Sequence, residues 1–341
     1  MERLRIGILG TGTIVREFHL PVLLENPRVE VVAVGNLHRS SLETLAGRFG
    51  ISRIYTDFRQ MARDPGIDAV VNALPNYLHA PVTIEMLQGG KSVLCEKPMA
   101  ISVAEAQAMT DAAKTHNRML MMAYPWRFDI EIRWLREMIS SGRLGKVFKV
   151  RAHSVLAGAG PQPDSWFTRP ELSGGGALTD IGIHAINTIS FLFDDRLCAL
   201  RVFCKTSNNF QMTRVEDTAT TIVEYDGGLV AIIEAGWHHL FANSPHGALE
   251  VFGTQGYARV FPTEMYCRNG NTEGHYTPKL PIKHSHIDSA MYASQINHFL
   301  DCISRGVEPV SSDAQGLKDM VLLEAARHSA RCAKSVSIGE Q

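Results

Sequence analysis

The sequence predicts an α/β chain in two domains: a doubly wound parallel sheet, then an α+β domain built on a largely antiparallel open sheet. Three observations carry this. Strand-like and helix-like runs alternate from Arg5 to Ala123, a glycine turn joins the first strand to the first helix, and from Gly145 the pattern becomes strand-like, with several consecutive strands that have no helix between them. Alternation is the pattern of a parallel sheet covered on both faces, whereas consecutive strands pair antiparallel.

Arg5 to Leu9 reads as a short buried strand. Gly10-Thr11-Gly12-Thr13-Ile14-Val15 follows, then a helical run through Arg16 and His19 to Leu24, which Pro21 kinks or restarts. Strand, glycine turn and helix are the context of a Rossmann dinucleotide fingerprint. The first glycine turns the chain, the second lets backbone approach a pyrophosphate, and the helix N-terminus faces its charge. Gly10, Gly12, Thr13 and Ile14 are therefore candidate cofactor residues. Val15 takes the third fingerprint position, where Gly or Ala packs helix and strand closely.

The next strand, Val29 to Gly35, is apolar enough to be buried on both faces. At its end, where an NAD site places an acid on the ribose hydroxyls, stand Asn36-Leu37-His38-Arg39-Ser40 and no carboxylate. A 2′-phosphate is suited to Asn36, His38, Arg39 and Ser40 through charge-assisted hydrogen bonds. The alternative is a solvated Arg39 ahead of a helix from Ser41 to Phe49. The missing acid and the added base point the same way, to NADP ahead of NAD.

Arg53 to Tyr55, a helix over 57–63 and the strand Ala69 to Leu74 continue the rhythm, and Pro75-Asn76-Tyr77-Leu78-His79 opens a helix reaching Leu87. Asn76 reads as its N-cap. His79, one turn in, is a ligand contact or a solvent-facing residue. The strand Ser92 to Cys95 delivers Glu96-Lys97 to a strand end, where ligands of open parallel sheets bind, and Pro98 holds Lys97 extended. After a helix over 103–117 and the strand Met119 to Ala123 the alternation stops. The domain boundary is placed there, giving domains 1–123 and 124–341.

In the second half, Asp129 to Ser140 is a helix that Gly142 ends. Strands follow over 146–156, 197–207, 218–225, 229–237, 248–252 and 257–261, with Asp226-Gly227-Gly228 as a hairpin turn. One face of such a sheet needs cover from helices or another subunit. The loop Ala159 to Arg169, carrying Trp166, reads either as a lid over substrate or as a loop packed down by that tryptophan. Leu178 to Phe193 is an amphipathic helix on which Asp180 and His184, four residues apart, share a face. Tyr292 reaches a nicotinamide or fills core.

Composition narrows the function. At 341 residues, 45% hydrophobic and 20% charged, with net charge -1, the chain has no field for nucleic acid or an anionic membrane. The partner is a small molecule and the default location the cytoplasm. The six cysteines show no metal or disulfide spacing, and no metal is expected.

Gly10-x-Gly12, Pro75-Asn76-x-x-His79, Glu96-Lys97-Pro98, Tyr124-x-x-Arg127-Phe128, Gly174-Gly175-Gly176-Ala177-Leu178-Thr179-Asp180-x-x-x-His184 and the segment from His298 to Ala326 together resemble the Gfo/Idh/MocA oxidoreductases over nearly the whole length. The resemblance implies an NAD(P)-dependent dehydrogenase acting on a sugar, cyclitol or similar polyol. It implies Lys97, Asp180 and His184 as catalytic residues, brought together where the second domain's helix faces the strand end of the first. Leu74, Pro75, Asn76, His79, Glu96, Lys97 and Arg127 join the cofactor set, Tyr124 and Trp166 the substrate set. It implies a homodimer or homotetramer through the C-terminal sheet. The alternatives are a redox-neutral glycosidase that retains its nucleotide, and a nucleotide-sensing regulator. Sensing needs neither Lys97 nor His184.

Overall fold

A computed structural model describes residues 3–158, 160–240, 248–269, 272–281 and 287–339. The chain forms two compact units, Met1–Pro125 with Asp288–Leu317, and Trp126–Ile287 with Lys318–Gln341.

In the first unit, strands β1 (Leu4–Leu9), β2 (Val29–Gly35), β3 (Arg53–Tyr55), β4 (Ala69–Asn72), β5 (Ser92–Glu96) and β6 (Leu120–Ala123) form one sheet in the order β3-β2-β1-β4-β5-β6. Every pair is parallel. Ile6, Ile8, Val70, Val93 and Leu94 are fully buried, because both faces of a parallel sheet are covered. The cover is α1 (Leu20–Glu25), α2 (Arg39–Phe49), α3 (Phe58–Arg63), α4 (Asn76–Gln88) and α5 (Val103–Thr115). Strand order reverses between β1 and β4, which makes the carboxyl ends of those two strands the switch point where ligands bind.

Local chemistry sets the ends of these helices. Asp57 and Ser102 cap α3 and α5 by accepting from Arg59 N and Glu105 N. Asn76 is not an N-cap: Pro75, extended at φ -56° and ψ 147°, takes that position and Asn76 is the first helical residue, buried. A π-helical turn, Val15–His19, precedes α1, and Pro21 lies in the first turn of α1, where its missing N–H costs nothing. The wider turn begins at the buried Val15, where a fingerprint glycine would otherwise allow close packing.

The second unit opens with α6 (Ile130–Ser140), capped by Asp129, whose Oδ1 accepts from Glu131 N and Ile132 N. β7 (Val147–Ala157), α7 (Pro170–Ser173), α8 (Ile183–Leu192), β8 (Ala199–Ser207), β9 (Thr218–Tyr225), β10 (Val230–His239), β11 (Ala248–Gly253), β12 (Gly256–Val260), β13 (Glu264–Asn269) and β14 (Thr272–Tyr276) follow. The sheet runs β14-β13-β12-β11-β7-β10-β9-β8, and a two-residue β15 (Val336–Ser337) closes the β8 edge. Among the described strands of this second sheet, only β7 and β10 pair in parallel. One face is apolar and buried through Val150, Ala152, Val223, Ile233, Leu249 and Val251. The opposite face carries Arg151, Glu234 and Glu250 beside the exposed Phe148, Phe203 and Ile222.

The expected second domain, 124–341, is not continuous. α9 (Ser289–Arg305), capped by Asp288, belongs to the first unit, and α10 (Asp313–Cys332) follows it. Tyr292 stacks on Phe18 with ring centroids 4.8 Å apart, Asp301 pairs with Arg28 at 2.8 Å, and Ser311 exchanges hydrogen bonds with Met122. The amphipathic pattern of α9 announces a buried face but not which core receives it.

Candidate active site

The glycine turn is built for close approach. Gly10 has φ +108°, and a Cβ there would lie 2.4 Å from the Ala73 carbonyl oxygen, so only glycine fits between the ends of β1 and β4. A Cβ on Gly12 would meet nothing within 4 Å, leaving open space beside the turn. Thr13 and Ile14 begin the helix, and Arg16 donates to Thr11 O at 2.7 Å. Asn36 Nδ2 donates to Thr11 Oγ1, tying the end of β2 to the turn. His38 is extended before α2, and Arg39 and Ser40 form that helix's first turn. Arg39 is exposed and pairs with Glu43 at 2.8 Å. Next to them a cavity of about 300 Å³ is lined by Thr11, Arg16, Ser40, Ser41, Thr44, Leu45 and Arg48. Open space at Gly12, a helix N-terminus and cationic side chains fit a dinucleotide.

At the ends of β4 and β5 the residues are buried and tightly bonded. Asn72 donates to Thr83 Oγ1 at 3.0 Å and accepts from Leu74 N at 3.3 Å, shaping the turn through Leu74 and Pro75. His79 is 1% exposed, with its ring nitrogens against Pro98 O and Leu74 O, so it faces neither solvent nor open space. Glu96 ends β5 and bonds His19 Nε2 at 2.7 Å. Lys97 follows, and the Lys97–Pro98 peptide is cis. His19 is fully buried under the edge of the Tyr292 ring. Tyr292 therefore fills core, and burial beside Glu96 pushes its hydroxyl pKa well above the tyrosine range. Tyr124, 1% exposed, follows β6.

In the second unit a π-helical turn, Leu178–Gly182, runs into α8 and carries Asp180, with His184 in the first turn of α8. The Glu216 carboxylate caps this helix from outside, accepting from Gly176 N at 2.9 Å and Leu178 N at 3.3 Å. Burial raises the Glu216 pKa, and those two N–H groups oppose the rise. A Cβ on Gly176 would sit 1.9 Å from Glu216 O, which explains the glycine at that position. Trp237, fully buried, donates its indole N–H to Asp180 Oδ2 at 3.1 Å. Trp126 stacks on the His184 ring at 5.5 Å. Arg127 is fully buried. Its Nε donates to Asn187, and its two terminal nitrogens fork onto Asp195 at 2.8 Å each. Trp166 is half-buried and stacks on Phe167, and Thr168 Oγ1 bonds Pro163 O, so the loop is packed on itself. Its first residue, Ala159, lies outside the described residues.

Sequence reasoning missed His19, Asn72, Glu216, Trp237 and the Arg127–Asp195 fork. Apart from Asn72, whose partners Leu74 and Thr83 lie 2 and 11 positions away, each pairs with residues 38 or more positions distant, which no local pattern announces. Among the described residues no cluster of His, Cys, Asp and Glu suits a metal, and no helix is long and apolar enough to cross a membrane.

Residues 4–124 match the family model described as "Oxidoreductase family, NAD-binding Rossmann fold", and residues 132–259 match the GFO/IDH/MocA C-terminal domain. The chain belongs to the Gfo/Idh/MocA oxidoreductase family. Among curated relatives, mouse trans-1,2-dihydrobenzene-1,2-diol dehydrogenase is 28% identical over 337 residues, covering 95% of this chain and 96% of its own. The NAD(+)-dependent scyllo-inositol 2-dehydrogenase of Bacillus subtilis is 25% identical, covering 97% and 95%. Aldose-aldose oxidoreductase from Caulobacter crescentus, solved with glycerol, superposes with a TM-score of 0.85 at 27% identity, covering 99% of this chain and 100% of that one. These likenesses support both the Rossmann sheet and the mostly antiparallel second sheet.

Proposed function

We propose that this oxidoreductase moves hydride between NADP(H) and a hydroxyl- or carbonyl-bearing carbon of a sugar, cyclitol or related polyol. The observation that carries the reading is the nucleotide end of the first unit: the open Gly12 turn, and beside it a cavity whose walls include Arg16, Arg48, Ser40 and Ser41. With no carboxylate over 36–40 and Arg39 at the start of α2, the charge there suits a 2′-phosphate better than a bare ribose diol. The relatives that act on a diol, an inositol and aldoses support the substrate class.

Bound nicotinamide supplies the hydride acceptor or donor. The chain supplies position and a proton path. His184 takes the proton of the reacting hydroxyl on its imidazole, the side chain suited to exchange a proton near neutral pH. Asp180, oriented by Trp237, and Lys97 hold the substrate oxygens. Gly10, Gly12, Thr13 and Ile14 receive the pyrophosphate, and Leu74, Pro75, Asn76 and Glu96 shape the nicotinamide side. Arg127 braces α8 through Asn187 and Asp195. Tyr124 and Trp166 complete the substrate set. The exposed face of the second sheet, with Phe148, Phe203 and Ile222, is offered to a second copy of the chain in a homodimer or homotetramer.

The test is a panel of sugars, cyclitols and their keto forms with NADP(H) and NAD(H), read by absorbance of the reduced nicotinamide. Turnover with NADP(H) ahead of NAD(H) is expected. Nucleotide binding without turnover on any member would favour the sensing regulator, and the reverse cofactor order would overturn the NADP assignment.

A further inference from the structure

We propose that two buried histidines, His19 and His79, are positioning residues for Lys97, His19 acting through the Glu96 carboxylate and His79 through the Pro98 carbonyl. The proposal rests on the functional reading above in giving Lys97 its work. His19 Nε2 lies 2.7 Å from Glu96 Oε1, and the other oxygen of that carboxylate accepts the backbone N–H of Lys97 at 3.3 Å. From α4, His79 places Nδ1 2.7 Å from Pro98 O and Nε2 2.8 Å from Leu74 O. Lys97 therefore projects from a segment held on the residue before it and the residue after it. A side chain that only filled these spaces would need no ring nitrogen aimed at Glu96 or at Pro98, since burying a polar ring is costly unless it is bonded.

Both His79 nitrogens face oxygens that can only accept. A neutral imidazole has one N–H and serves one of them; an imidazolium serves both. Burial is the larger influence and moves the His79 pKa below the ordinary histidine value. The carbonyls of Pro98 and Leu74 and the Glu96 carboxylate work against it, and the Lys97 ammonium works with it. At neutral pH the tautomer then decides which segment is held. The Nδ1–H form holds Pro98, beside Lys97, whereas the Nε2–H form holds Leu74, past the end of β4. Positioning of Lys97 requires the first.

Two substitutions separate these bonds. Asn places its amide nitrogen near the imidazole Nδ1 and Gln near Nε2, so His79→Asn keeps a donor toward Pro98 and His79→Gln keeps one toward Leu74. The variants are compared for kcat, for the KM of NADP(H), and for the rate at which acetic anhydride acetylates Lys97, followed by peptide mass spectrometry. His79→Gln is expected to lower kcat about tenfold to a hundredfold further than His79→Asn, the scale of loss for a slightly misplaced reacting group. The KM of NADP(H) is expected to be alike in the two, and Lys97 acetylation to depart further from wild type in His79→Gln. Equal kcat and equal acetylation in the two variants overturn the proposal. So does a raised KM for NADP(H) with kcat held, which assigns His79 to nucleotide binding. His19→Gln, which keeps a donor for Glu96, against His19→Leu repeats the comparison on the other side should a His79 variant fail to fold. Acetylation needs no substrate, so a wild type that turns over nothing in the panel defeats the functional reading while the bracket is still decided.

Discussion

Trp237 donates its indole N–H to Asp180 Oδ2 at 3.1 Å from a position with no solvent exposure. This ties the central strand β10 to the π-helical turn that precedes α8. Trp237→Phe keeps an aromatic side chain but removes the donor together with part of the buried ring, so a cavity cost adds to the lost hydrogen bond. A hydrogen bond to a charged group contributes about 1.5–3 kcal/mol, and the half-buried carboxylate argues for the lower end. The urea midpoint should fall accordingly, and kcat should fall with it because Asp180 loses its orientation. An unchanged kcat with lowered stability would leave the pair a packing contact.

The buried Arg127 fork predicts a second loss of stability. Asp195→Ala leaves a buried guanidinium short of its carboxylate, and because the Asp195 side chain is itself 30% exposed the loss should fall between the roughly 1 kcal/mol of an exposed pair and the roughly 3–5 kcal/mol of a fully buried one. Urea denaturation checks this. A loss below 1 kcal/mol, the scale of exposed pairs, would mean that water replaces Asp195.

Cofactor choice is tested at α2. Arg39→Ala should weaken NADP(H) binding by roughly 1.5–3 kcal/mol, about one to two decades, and spare NAD(H). Arg16→Ala, at a residue that lines the neighbouring cavity, should act in the same direction. Equal losses for both nucleotides would show that neither arginine reads the 2′-phosphate.

An acid limb is expected from Asp68, which accepts the side-chain and backbone N–H groups of Arg5. Hydrogen bonding to Arg5 holds its pKa below the ordinary value, against burial. A carboxyl depressed on folding contributes stability above its unfolded pKa near 3.9, and that contribution is lost as pH falls toward the folded value. The difference in urea midpoint between wild type and Asp68→Asn should be full at pH 6 and shrink below about pH 4. A difference that does not change with pH would remove Asp68 from acid sensitivity.

Much of the first unit was legible because its strands are apolar on both faces and its breaks are glycines and prolines. Gly10 and Pro98 each have one physical reason to be where they are. In the second unit β13 and β14 escaped notice because β14 is exposed along its whole length and shows no alternation to read. The fate of α9 was not legible, since its apolar face suits either core. The candidate site shows the same division. The roles proposed for Lys97, Asp180 and His184 come from the family resemblance and not from residue type and spacing alone, and the residues that contact them could not be named from the sequence. His19 meets Glu96 across 77 positions of sequence, and Trp237 meets Asp180 across 57.

The central claim, hydride transfer with His184 as the proton carrier, is tested most directly by kcat of His184→Asn on the best substrate of the panel, with nucleotide binding followed in parallel by thermal shift. Removing a positioned general base costs about two to four decades in rate. The account predicts a loss of that size with the NADP(H)-induced shift retained. A variant that keeps near wild-type kcat would contradict it.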